Sequence, residues 1–372
     1  MGWIGTKSGS GSGTLSTIPR TSSVSSTNAN IEDNITISIN RASSSFTHTL
    51  SYTFHNLSGT IADKTSSTSV SWTVPTSFYA EIPNLKTSWG TIYCATYSGS
   101  TLIGTSSCWF YVYVSEARSY PSISATVIDT NPTTTAITGD PNILIKYYSK
   151  VKFDLSALPY NSATISTRSV YYNGQTFTGG SGNSWTDYFS DVISGYYYFS
   201  VADSRGFTNN LTVNKTMIEY VKPTCYLHVS NPTVTGNCTL TITGNYFNGS
   251  FGATNNELVV RYYVNNGAWQ YATATISGNT YTATVNVTGL DYSQTYTYQA
   301  QAYDKLTSVD SNFKTVKSSP FFDWGSDDFH FHDDVLSYES FRIGHDKYLY
   351  GTNTNGAQTA IARINPINND LE

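Results

Sequence analysis

From Ile35 onward the chain alternates strictly between apolar and polar positions. Ile35, Ile37 and Ile39, then Leu50, Tyr52 and Phe54, then Val70, Trp72 and Val74 place an apolar residue at every second position. That period gives a strand one buried and one wet face. A hairpin over residues 92–114, turning at Ser98-Gly99-Ser100, closes this first unit. A second unit opens at Tyr120-Pro121 with Ile123, Ala125 and Val127 in alternation, and continues to about Tyr220 through short strands separated by Gly and Asn turns. Residues 196–201 read as its late core strand and Ala202-Asp203-Ser204-Arg205-Gly206 as the turn that follows. A third unit begins after Lys222-Pro223. In its clearest strand Tyr296, Tyr298, Ala300 and Ala302 share one side while Thr295, Thr297, Gln299 and Gln301 share the other.

Short strands with frequent turns and no helical period predict an all-β chain of tandem immunoglobulin/fibronectin-III-like β-sandwiches. The boundaries expected are a tether over residues 1–30, sandwiches over 31–117, 118–221 and 222–318, and a junction with the start of a short β-rich fibre-like segment over 319–372. Gly289-Leu290-Asp291-Tyr292 resembles the loop before the sixth strand of fibronectin type III domains, which makes Tyr296 the candidate corner tyrosine. Trp72, Trp185 and Trp269 are the expected core tryptophans, one in each unit. The polypeptide is expected to continue beyond Glu372, because no capping feature follows Arg363-Ile364-Asn365-Pro366.

Composition narrows the function. Only 12% of the 372 residues are charged, and 30 Tyr and 7 Trp accompany abundant Ser, Thr and Asn, a strand-forming and not a helix-forming mixture. A net charge of -5 without a basic run argues against nucleic acid and against an anionic membrane surface. No apolar stretch is long enough for a spanning helix, and residues 1–7 lack a signal core. The chain has no P-loop, dinucleotide fingerprint or nucleophile elbow, and its six histidines leave little acid-base machinery, so no catalytic residue and no enzyme are expected.

Cys94 with Cys108 and Cys225 with Cys238 lie 14 and 13 residues apart, each pair bracketing a hairpin. They are disulfide candidates across adjacent strands or, equally, buried free thiols. Tyr171, Tyr172, Tyr188 and Tyr197 are candidates for stacking on sugar rings. Asn-x-Ser/Thr sequons at Asn34, Asn56, Asn210, Asn237, Asn248 and Asn286 are what a chain rich in Asn, Ser and Thr produces by chance. His330-Phe331-His332 places two imidazoles on one side of a strand, so three parallel copies would offer six nitrogens to one iron or nickel ion, the only cofactor the sequence suggests. A metal there requires a homotrimer. The surrounding Asp323, Asp327, Asp328, Asp333 and Asp334 fit neither a calcium loop nor a glycosidase pair and read as a solvated acidic junction around Asp323, Trp324 and Gly325.

Thr17-Ile18-Pro19-Arg20, the segment from Ile37-Ser38-Ile39-Asn40-Arg41 to Leu50, Gly59-Thr60-Ile61-Ala62 and Phe322-Asp323-Trp324-Gly325 resemble minor structural tail proteins of siphophages that infect Gram-positive bacteria, in the same order from residue 14 to about 335. The resemblance implies a virion location in the tail tip or fibres, other tail proteins as partners, and a non-enzymatic role in adhesion to host cell-wall polysaccharide or another part of the host surface. It brings no catalytic residues. The competing readings are a bacterial surface adhesin or carbohydrate-binding array, and the non-catalytic part of a tail-associated wall-degrading enzyme.

Overall fold

A computed structural model of the chain describes residues 20–230, 236–291 and 294–317, and beyond them the backbone of four short strands. Its described residues form two compact units. The first takes in the chain through Tyr220 together with Gly249–Asn255, and the second the remainder.

The first unit holds two sandwiches. In the first sandwich β1 (Ser23–Ser26), β3 (Asn34–Asn40) and β6 (Ser69–Thr73) form one sheet, ordered β1-β3-β6. The facing sheet is ordered β2-β8-β7-β4-β5, from β2 (Ala29–Asn30), β4 (Phe46–Phe54), β5 (Leu57–Thr65), β7 (Thr87–Ser98) and β8 (Thr101–Tyr113). The period-2 pattern sets the inner face: Ile35, Ile37 and Ile39 are buried between exposed neighbours, and Leu50, Phe54, Ile92, Phe110 and Val112 meet them from the other sheet. Each such side chain withdrawn from water contributes about 1.5–3 kcal/mol before entropy is counted. A helical turn, α1 (Phe78–Glu81), plugs one end by stacking Phe78 on Phe54 at 4.0 Å. Ser23–Ser26 and Ala29–Asn30, expected as tether, are strands instead. β1 pairs with β3 and β2 runs parallel to β8, and Ser, Thr and Val suit a short edge strand as well as a linker.

The second sandwich is built from β9 (Ser122–Asp129), β10 (Ile143–Ile145), β11 (Val151–Leu158), β12 (Ile165–Tyr172), β13 (Gln175–Gly180), β14 (Ser184–Phe189), β15 (Tyr196–Asp203), β16 (Thr208–Asn214) and β17 (Thr216–Ile218). A β14-β11-β9 sheet faces a β13-β12-β15-β16 sheet, and a small parallel β10-β17 pair lies apart from both. Helix α2 (Pro132–Thr138) starts on an Asn131 cap that accepts from Thr133 N and ends at left-handed Gly139.

The two sandwiches of this unit are locked together. Phe207, from the turn between β15 and β16, is buried in the core of the first sandwich. Beside it Arg205, a residue 5% exposed, donates from its guanidinium to the carbonyls of Tyr79 and Ile82 in the first sandwich and of Tyr160 and Asn161 in the second. Ser204 Oγ adds a 2.6 Å bond to Pro83 O. The segment read as a simple turn is therefore a joint.

The second unit is a sandwich of β18 (Tyr226–Val229), β19 (Cys238–Asn245), β22 (Ala274–Ser277) and β23 (Thr280–Val287) against β20 (Val259–Val264), β21 (Gln270–Ala272), β24 (Thr295–Tyr303), β25 (Ser308–Asp310) and β26 (Lys314–Lys317). Tyr298, Ala300 and Ala302 are fully buried, as the alternation of β24 predicts, and Tyr296 Oη accepts from Asp291 N at 2.9 Å, the corner contact expected of it. Farther on, β27 (Phe322–Trp324) pairs with β28 (Phe329–Phe331), and β29 (Tyr348–Thr352) with β30 (Gln358–Arg363).

Candidate functional site

The long hairpin β7–β8 carries an aromatic face. Its 12 and 13 residues include no Asp, Glu, Lys or Arg. One phase of the alternation, Gly90, Ile92, Cys94, Phe110 and Val112, goes into the core. The other turns Trp89, Tyr93, Trp109, Tyr111 and Tyr113 to solvent, with Trp109 the most open at 68%. Register brings these together: Trp89 sits opposite Tyr111, Thr91 opposite Trp109, and the two indoles meet diagonally at 5.8 Å and 46°. Along β8 the row from Trp109 to Tyr113 extends about 14 Å. Next to it β4 contributes only Thr and Ser hydroxyls on this side, with Ser51 opposite Tyr93 and Thr53 opposite Thr91.

Three features hold the face in place. Gly90 lies so close to its neighbours that a Cβ there would stand 2.5 Å from the Phe110 ring and 2.6 Å from Thr53 O, so only glycine lets β7 pass flat behind Trp89. On the far edge Asn28 Oδ1 accepts from Tyr111 N and Ser26 Oγ donates to Trp109 O, which fixes the backbone under both rings. At the near edge His55 Nε2 and Ser88 Oγ are 2.7 Å apart in a shallow cleft of about 390 Å³ lined by Thr53, His55, Ser88, Trp89, Gly90 and Thr91. Flat rings flanked by neutral hydroxyls and an imidazole match the alternating apolar faces and hydroxyl edges of a sugar chain. The same surface offers nothing to a nucleic acid backbone, which needs clustered cations.

The family model for siphovirus proteins of unknown function (DUF859) matches residues 2–318. The chain belongs to that siphovirus family. No curated protein matches it. Among solved structures, a chain of the complex of Dpr2 Ig1-Ig2 with DIP-Theta Ig1-Ig3 is 13% identical, covering 79% of this chain and 98% of that one at a TM-score of 0.29. The Clostridium thermocellum CbhA fibronectin(III)-like modules are 13% identical over 54% of this chain and 98% of theirs, TM-score 0.20. The ICAM-5 D1-D4 ectodomain fragment is 10% identical over 80% of this chain and 76% of its own, TM-score 0.30.

The aromatic face of this siphovirus protein is not the one expected. Of the four tyrosines proposed for sugar stacking, Tyr172 and Tyr197 are core residues, stacked on each other at 5.0 Å and 9° inside the second sandwich. Their neighbours along the strand point outward, as alternation demands. Tyr171 and Tyr188 are exposed, but on different sheets, so they form no common surface. Trp72 and Trp185 pack against their cores, whereas Trp269 lies outside its own, edge-on to Tyr263 at 4.6 Å. It packs on the side of β20 that carries Arg261 and Tyr263.

All four cysteines are free thiols. Cys94 faces Ser106 and Cys108 faces Ile92, so the first pair is offset by one inward position and does not stand opposed. Burial raises the Cys94 thiol to about 11 and also raises those of Cys108 and Cys225. Among the described residues no group of three His, Cys, Asp or Glu is placed to hold a metal ion, and no helix is long and apolar enough to cross a membrane. Asp323 and Trp324 lie in β27, with Asp323 paired in register to His330 of β28. Gly325 and His332 fall outside the described residues.

Proposed function

We propose that this siphovirus protein is a non-enzymatic adhesion component of the phage tail, and that the Trp89–Trp109 face binds an uncharged polysaccharide of a Gram-positive host wall. The observation that carries the reading is the exposure of two indoles and three phenols on one charge-free, two-stranded surface. Aromatic area of this kind is costly to leave in water, and on a monomer such a patch marks an interaction site. The absence of charge favours a neutral polyol over an anionic polymer. The remaining sandwiches act as spacers that carry the face.

The test is retention of the full chain on purified wall polysaccharide from a susceptible strain, compared with Trp109→Ala and Trp89→Ala. Loss of one stacking ring is expected to weaken binding about tenfold, the effect of roughly 1.4 kcal/mol. Because both indoles are more than half exposed, the thermal midpoint should stay where it is. Equal retention of wild type and both variants would exclude this face. Shortening of the polysaccharide during incubation would overturn the non-enzymatic reading.

A further inference from the structure

The outer face of the third sandwich holds an arginine that is held in position and, among the described residues, has no acidic partner. Arg261 of β20 points away from the core, on the opposite phase from Val260 and Tyr262. Its guanidinium lies 4.5 Å from the Trp269 ring centroid and 5.2 Å from that of Tyr303. Nε donates to Gln301 Oε1 at 2.7 Å, and Gln301 is itself fixed by donating from Nε2 to Asp310 Oδ1. Ring contacts and one anchored nitrogen fix the plane of the fork. Nη1 and Nη2 have no hydrogen-bond or ion-pair partner among the described residues.

An open cleft of about 500 Å³ lies over this group, lined also by Lys305, Thr307 and Ser308, which supply a second cation and two hydroxyls. The carboxylate in the lining, Asp304, is committed to its own turn, accepting from Asn256 Nδ2, Leu306 N and Thr307 N. Lys305 reaches Glu257 at 3.3 Å, but that carboxylate is 76% exposed, where such a pair is weak. A planar fork held by rings, with both terminal nitrogens open, is the arrangement that accepts two oxygens of one anion.

We propose that Arg261, with Lys305, Thr307 and Ser308, forms a second binding site, specific for an oxyanion carried on a polymer, either the phosphodiester of a polyol-phosphate chain or the carboxylate of a uronate chain. The site is separate from the aromatic face of the first sandwich and takes a ligand of opposite character, charged where the other is neutral. Its failure and the failure of the adhesion reading are therefore independent.

The experiment titrates the full chain by calorimetry with three probes: a poly(glycerol phosphate) oligomer, an oligogalacturonate of similar length, and uncharged dextran. Arg261→Met and Arg261→Lys are compared with wild type at low and high salt. Wild type is expected to bind one of the two anionic probes, with an affinity that falls as salt rises, and not to take up dextran through this site. Whichever anion binds identifies the source of the oxyanion. Arg261→Met should lose at least about tenfold in affinity, together with most of the salt dependence. Arg261→Lys keeps the charge and the fold but loses the fork, so it should bind several-fold more weakly while remaining salt-sensitive. Wild-type affinity for the anion in Arg261→Lys would overturn the site even if Arg261→Met misfolds. Failure of wild type to bind either anion would overturn it outright.

Discussion

Replacing Arg205 with alanine tests whether the first two sandwiches are one mechanical body. The guanidinium makes four bonds to carbonyls, two in each sandwich, while its own amide and that of Phe207 donate to Asp203 Oδ1 at 2.9 and 2.8 Å. Asp203 is 1% exposed. Truncation therefore removes the charge-assisted bonds and strands buried carbonyls. One bond to a charged group contributes about 1.5–3 kcal/mol, but the four share a single donor and do not add. Breaking this buried hydrogen-bond network, with several acceptors left unmatched at once, should cost about 3–5 kcal/mol. In a body of some 200 residues 1 kcal/mol corresponds to about 2–4 °C, so the melting temperature should drop by roughly 10 °C. Calorimetry of the full chain should also show the transition of this unit broadening or splitting as the sandwiches uncouple. Hydrogen exchange at α1, where Arg205 holds the carbonyl of Tyr79 and that of Ile82 just past its end, should accelerate. A midpoint within about 2 °C of wild type, with exchange at α1 unchanged, would show that Phe207 alone makes the joint.

Other outcomes follow from single groups. Burial lowers the pKa of His48, with Arg41 adding to the effect, so the folded state favours the neutral ring and the unfolded chain binds the extra proton. Stability should be complete above pH 6.5 and decline as pH falls below it, a slope that chemical denaturation of His48→Gln should lack. With its thiol near 11 and no exposure, Cys94 should resist alkylation at pH 8 in the native protein and react at once in denaturant, followed by peptide mass spectrometry. Gly90→Ala forces a methyl into Phe110 and Thr53 O. It should destabilise the first sandwich by about 1–3 kcal/mol in urea titration and disturb glycan retention through Trp89.

The strands were legible because alternation is a local property. Ile35, Ile37 and Ile39 announce an inner face without help from the rest of the chain, and Tyr296 sits at its corner as its spacing from Asp291 suggests. The aromatic face is harder to read, although its signal is present. In β7 both phases are apolar, Trp89 and Tyr93 on one and Ile92 and Cys94 on the other, and a two-layer sandwich buries only one side of each sheet. One apolar phase had to be exposed, and the pattern alone does not say which. The same parity hid the roles of adjacent tyrosines: Tyr171 and Tyr172 differ by one position and by the whole thickness of the sheet. The Arg205 joint was illegible for another reason. Its partners are backbone carbonyls more than 120 residues away in Tyr79 and Ile82, and carbonyls carry no side-chain signature.

If the Trp89–Trp109 face binds as proposed, the absence of a swivel between the first two sandwiches also changes what several copies of this protein can do together. When a particle holds many weak binding faces, the second bond forms at an effective concentration set by how far an unbound arm roams. A hinge between sandwiches would spread Trp89 and Trp109 over a wide shell, tolerant of any receptor spacing but dilute at each point. The Arg205 and Phe207 lock removes that source of spread, so the face moves only together with the second sandwich. Avidity then becomes a matter of matched spacing, strong on a surface whose repeat fits the array of arms and weak on one whose repeat does not.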